Sequence, residues 1–156
     1  MEITSKLKGY ETVLKSIEAA KKDGIYTASV GSEPYMGLGR EPMDDPDDTA
    51  SYSKGIFWRN YRMNDVGLLV PMDSRCTASP TGENDYVFYR TGGMSWSVPY
   101  AAGLYALACQ IKPDITPEIF WKAALDTGVP FAEGSGVTKT TGKIVNPAAL
   151  IESLSH

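Results

Sequence analysis

Apolar residues recur at helical spacing at Val13, Leu14, Ile17 and Ala20, which predicts a first helix over about Tyr10 to Lys22. Lys21 and Lys22 fall in its last turn, where cations suit the helix dipole, and Gly24 is placed to close it. Ile25-Tyr26-Thr27-Ala28-Ser29-Val30 is short and β-prone and predicts a strand. Helix and strand together read as the second half of a βαβ unit. Residues 31–48 read as a long acidic loop. Val66-Gly67-Leu68-Leu69-Val70 predicts a buried strand ended by Pro71. Arg75 to Ser79 and Tyr86 to Arg90 predict a hairpin around Pro80-Thr81-Gly82-Glu83-Asn84-Asp85.

The segment from Trp96 to Ile111 is apolar around most of its circumference and predicts a buried helix. Lys112-Pro113-Asp114 breaks it. Thr116-Pro117-Glu118 is a helix start, with a hydroxyl at the N-cap, Pro at the first helical position and an acid in the first turn. That helix runs to about Asp126 and ends at Thr127-Gly128, and a short last helix covers Pro147 to Ser153. Helices alternating with apolar strands predict an α/β fold with a mainly parallel sheet flanked by helices.

Composition narrows the function classes. The 156 residues make one domain's worth of chain, 42% hydrophobic and 22% charged. A net charge of −4, with basic pairs no longer than Lys21-Lys22, speaks against a nucleic-acid surface. No apolar run reaches the roughly 18 residues of a membrane helix. The opening residues lack the basic and apolar regions of a secretory signal, which leaves a secreted or a cytoplasmic parent open. Cys76 and Cys109 are too few for a disulfide scaffold and are expected to be free and buried. The acidic run around Asp44, Asp45, Asp47 and Asp48 has the ligand type calcium takes, but not the spaced ligands and glycine of a calcium loop. It reads as solvated, and no cofactor is expected. The single histidine is His156, the last residue, a poor place for a catalytic base.

Gly92-Gly93-Met94-Ser95 carries the chemistry. Ser95 follows a glycine pair and opens the apolar helix, where unpaired N–H groups and partial positive charge gather. An oxyanion formed on a group bonded to Ser95 would lie near them. Read locally, Ser95 is either a nucleophile or only an N-cap.

Gly93-Met94-Ser95-Trp96-Ser97-Val98-Pro99-Tyr100-Ala101-Ala102-Gly103 resembles the nucleophile block of the subtilisin-like serine proteases, Gly-Thr-Ser-Met-Ala-x-Pro-His-Val-Ala-Gly. Other blocks follow in that family's order. Ala19 to Ile25 resembles the approach to its oxyanion asparagine, and Ala50-Ser51-Tyr52-Ser53-Lys54-Gly55 its Ala-Ser-Phe-Ser-x-x-Gly. Val70-Pro71-Met72 stands where Ala-Pro-Gly is expected. Pro113-Asp114-Ile115-Thr116-Pro117 resembles its Pro-x-Leu-Thr-Pro turn, and Gly142-Lys143-Ile144-Val145-Asn146 its closing Gly-x-Gly-x-Val-Asn.

The resemblance covers about residues 10 to 152. It implies the C-terminal portion of a single subtilisin-like peptidase domain, with the nucleophile at the start of a buried helix. In that family the triad runs Asp, His, Ser along the chain, so the first two would lie upstream of residue 1. The implied function is serine endopeptidase activity in a longer parent. Ser95 is the nucleophile, Gly92 and Gly93 border the substrate cleft, and no metal is needed. Ser32 occupies the oxyanion asparagine's place with a shorter side chain. The chain alone is expected to be inactive and to self-associate through an uncovered sheet edge and apolar face. Met94, Trp96 and Ser97 depart from the family's flanks of the nucleophile. They leave a binding or regulatory pseudoprotease as the alternative.

Overall fold

The computed structural model describes residues 9–28, 35–55, 67–132 and 142–156. Helix α1 (Tyr10–Lys22) ends as its sequence dictates. Gly24 adopts φ 74°, a left-handed conformation that glycine reaches without strain, its N–H donates to the Lys21 carbonyl, and Ile25 N–H donates back to the Ala20 carbonyl. No residue of α1 is buried, and Val13 and Leu14 stand exposed.

A five-stranded sheet forms the centre in the order β2 (Ser53–Lys54), β1 (Tyr35–Gly39), β3 (Leu68–Pro71), β7 (Gly142–Ile144), β6 (Val129–Phe131). The three inner strands are parallel, and both edge strands run antiparallel to their neighbours. The sheet is therefore mixed rather than mainly parallel. Residues 25–28 form no strand, and 29–34 lie outside the described residues. The strand belongs instead to Tyr35–Gly39, inside what the sequence presented as loop. Its glycines are not turn residues. A Cβ on Gly37 or Gly55 would collide with the buried Met72 side chain. On Gly39 it would collide with Asp73 Oδ2.

Strand β3 is buried on both faces and divides the core between them. Leu68 and Val70 join Leu104, Ala108, Phe120, Ala124 and Leu150 beneath helices α2 (Met94–Ile111), α3 (Pro117–Thr127) and α4 (Pro147–Leu154). Leu69 turns the other way, to Leu38, Tyr52 and Ile144. Phe120 is the centre of the first group, with edge-on ring contacts to Tyr105 at 5.1 Å and Tyr26 at 5.6 Å. Thr116 and Asn146 cap α3 and α4 as side-chain acceptors, each followed by Pro at the first helical position.

The predicted hairpin forms from β4 (Arg75–Ala78) and β5 (Tyr86–Tyr89), paired antiparallel. Its outer side is bare, so Cys76 is exposed rather than buried, and Cys109 is half-buried; both are free. Helix α2 also differs from expectation. Only Ser97, Ala101, Leu104 and Ala108 are buried, while Leu107 is 50% and Ile111 45% exposed. Among the described residues, one face of this uncharged helix rests on the sheet and nothing covers the other. No described helix is long and apolar enough to cross a membrane.

Candidate functional site

Helix α2 begins where β3 ends, and the segment between them is pinned to that strand end. Gly92 N–H donates to Asp73 Oδ1 at 2.7 Å, and a Cβ on Gly92 would run into the Met72 carbonyl oxygen. Gly92 is therefore glycine for room. Gly93 is different: it is the N-cap, extended at φ −163°, and a Cβ there would meet nothing within 4 Å. Of the two expected cleft glycines, one is packed against β3 and one faces open space.

Gly93 provides no side chain to cap the helix, so Ser95 is not the N-cap. It sits at the second helical position, exposed. Trp96 N–H donates to the Gly93 carbonyl at 2.9 Å, while the N–H groups of Met94 and Ser95 lie ahead of the first helical acceptor. The Ser95 hydroxyl thus stands beside its own backbone donor at the positive end of an 18-residue helix. Pro99, one turn on, lacks the N–H that would reach the Ser95 carbonyl. Such a position can hold negative charge developing on a group attached to Ser95.

The flanks of Ser95 are held in two ways. Met94 turns inward, and its Sδ accepts the Gly37 N–H at 3.1 Å. Trp96 leans on Tyr89 of the hairpin, ring centroids 4.8 Å apart. Ser97 is fully buried, and its hydroxyl has no hydrogen-bond partner. Ser32 lies outside the described residues. His156, the chain's one histidine, lines a shallow cavity between α3 and α4 with Lys112 and Lys122.

Asp73 was not singled out by its sequence setting. It is 1% exposed, in a tight connection between strand and hairpin, and it is the group that holds the loop before Ser95. Its only signal is an acid two residues past the proline that ends an apolar strand.

Among the described residues, no cluster of three His, Cys, Asp or Glu side chains is gathered to hold a metal ion. The acidic run instead serves its own backbone. Asp44 Oδ2 accepts Glu41 N–H at 3.2 Å, Asp45 Oδ1 accepts Asp47 N–H at 2.9 Å, and Asp48 Oδ1 accepts Ala50 N–H at 2.9 Å.

These features define a mixed α/β domain with an exposed serine at a helix N-terminus, anchored to the end of a central strand. No protein-family model and no curated protein matches the chain in sequence. Solved structures similar to it in fold include proteases. The prenylagaramide maturation protease PagA is 18% identical with a TM-score of 0.54, covering 100% of this chain and 59% of that one. The patellamide maturation protease PatA is 15% identical with a TM-score of 0.53, covering 97% of this chain and 58% of that one. A protease of Pseudoalteromonas arctica PAMC 21717 is 24% identical over 58% of this chain and 30% of that one, with a TM-score of 0.43. The chain thus spans about three fifths of the two maturation proteases.

Proposed function

We propose that this chain is the nucleophile-bearing part of a subtilisin-like serine endopeptidase. In this reading Ser95 Oγ attacks the scissile carbonyl. A histidine from an upstream part of the parent takes its proton, and an upstream aspartate orients that histidine. The Ser95 N–H meets the oxyanion, with Ser32 at the place of a second, weaker donor. Gly93, open on its substrate side, lets a peptide backbone approach. By itself the chain has no base for Ser95 and is inactive.

The observation that carries the reading is the exposure of Ser95 beside unpaired helix N–H groups, in a chain whose fold resembles part of two maturation proteases. The ordered motif resemblance points the same way.

The test is intact mass after treatment with a fluorophosphonate, on this chain and on a parent containing the upstream segments. The expected result is one adduct on the parent, lost in Ser95→Ala, and none on this chain. An unlabelled parent would overturn the enzyme reading and leave the pseudoprotease, a binding or regulatory protein on the same fold. The packing of Trp96 on Tyr89 next to Ser95 favours that second reading, because it sets a large ring where the family pattern has a flexible Met.

A further inference from the structure

The three parallel strands β1, β3 and β7 end on a common side, and a crevice of about 480 Å³ lies just beyond them. Open α/β sheets commonly take their ligands beyond the carboxyl ends of the strands. Arg40 follows β1, Arg75 follows β3, and Asn146 at the start of α4 follows β7; all three line this crevice. Among the described residues neither arginine forms an ion pair, the side-chain pairs being Arg90–Glu41 and Lys122–Asp126.

The two guanidinium groups are held differently. Arg40 is locked by carbonyls, donating to those of Glu41, Asp44 and Ser74 at 3.3, 2.7 and 3.2 Å. Ser74 fixes it in return, donating its hydroxyl to the Arg40 carbonyl at 2.6 Å from a backbone at φ 52°. Arg40 is therefore a fixed positive charge with few donors left. Arg75 uses one arm on the Pro71 carbonyl at 3.0 Å and lies over the Tyr100 ring at 4.8 Å. Its other N–H groups are left to donate, and a guanidinium fork suits a planar or tetrahedral oxyanion. Burial pushes the Tyr52 and Tyr100 phenols up, against the pull of Arg75 on both and of Arg40 on Tyr52, so both are protonated at neutral pH. The acids on the wall are Asp47 and Asp73, and Asp73 is already bonded to Gly92 N–H. Asn146 Oδ1 caps Ala149 N–H at 3.1 Å, which leaves its amide N–H₂ as a donor at the positive end of α4.

We propose that this crevice binds a small molecule or peptide end through an oxyanion, carboxylate or phosphate, held by the free arm of Arg75 beside Tyr100 and Asn146, with Arg40 as fixed counter-charge. Ser95 is not among the residues lining the crevice, and the proposal stands whether or not Ser95 is a nucleophile.

The test uses the full 156-residue chain at low ionic strength, titrated with inorganic phosphate, with N-acetyl-Ala-Ala bearing a free carboxylate, and with its C-terminal amide. Amide NMR shifts around Ala148 and Arg75 are the readout. Saturable shifts are expected for phosphate, the carboxylate peptide or both, and none for the amide; which anion saturates first names the source. Arg75→Gln should weaken binding at least tenfold, and Arg90→Gln should leave it unchanged. Should Arg75→Gln not fold, Tyr100→Phe, which keeps the ring under Arg75, should still weaken binding about threefold. No saturable shift with either anion, equal binding of the amide, or unchanged affinity in the Arg75 or Tyr100 variant would overturn the proposal.

Discussion

The two adjacent glycines before Ser95 make a paired experiment whose outcomes the structure separates. At Gly92 the backbone lies outside the left-handed region, so an alanine suffers no conformational strain, only lack of room. Its Cβ would occupy the Met72 carbonyl oxygen's place, and that oxygen belongs to backbone at the end of a buried strand. The loop must shift, and the shift breaks the Gly92 N–H bond to the buried Asp73 carboxylate. A hydrogen bond to a charged group contributes about 1.5–3 kcal/mol, and forcing a methyl into a packed site costs about 1–3 kcal/mol. Because one displacement causes both losses, they overlap, and Gly92→Ala should destabilise by about 3 kcal/mol. For a chain of this size that is roughly 6–12 °C in Tm. Gly93→Ala, extended and with open space at its Cβ, should stay within about 0.5 kcal/mol of the parent. Urea unfolding followed by tryptophan fluorescence reads both. Equal stabilities for the two variants, or a Gly92→Ala chain as stable as the original, would refute the placement of this loop against β3.

Ser97→Ala removes a fully buried hydroxyl without a partner and nearly keeps its volume, so it should raise stability by about 1 kcal/mol in the same urea assay. Tyr52 and Tyr100 have folded pKa values raised above 10.0 mainly by burial. Their stabilising contribution is therefore complete below about pH 10 and is lost as pH rises through the folded values. Stability measured from pH 9 upward should fall less steeply in Tyr100→Phe than in the parent. The chain should also associate with itself through the bare side of α2, giving concentration-dependent sedimentation that Leu107→Glu reduces; a single monomeric species at all concentrations would count against this.

Local chemistry was legible wherever one residue dictates one conformation. The Gly24 cap of α1, the Thr116-Pro117 start of α3 and the Ser79 to Asp85 reversal of the hairpin all stand where their residues place them. What escaped depends on contacts between distant segments. Tyr35–Gly39 carries two glycines, which locally signal a turn, yet they are small because Met72 and Asp73 press on them from the connection that follows β3. Periodicity could not find which face of α2 is bare, since its eighteen residues include no charge and little polar contrast. Asp73 was invisible for the same reason: an acid after a proline is ordinarily a turn residue, and only its burial against Gly92 makes it the anchor of the Ser95 loop.

Two residues that differ from the subtilisin-like motifs this chain resembles, Met72 and Met94, are not independent of one another. Met72 stands where the pattern has glycine, and a fully buried Met there needs space that a normal strand pair does not offer. Gly37 and Gly55, on either side of it, give up their Cβ positions to its side chain. Gly37 then offers its N–H to the sulfur of Met94, which stands where the pattern has threonine. One strand residue, Gly37, thus touches both altered positions, and one of them, Met94, directly precedes Ser95. A larger residue at 37 would push on Met72. Restoring glycine at 72 alone would leave a hole lined by glycines rather than return the site to the family's arrangement. Met72, Gly37, Gly55 and Met94 form one packing unit beneath the helix start, while Trp96 is held separately by Tyr89.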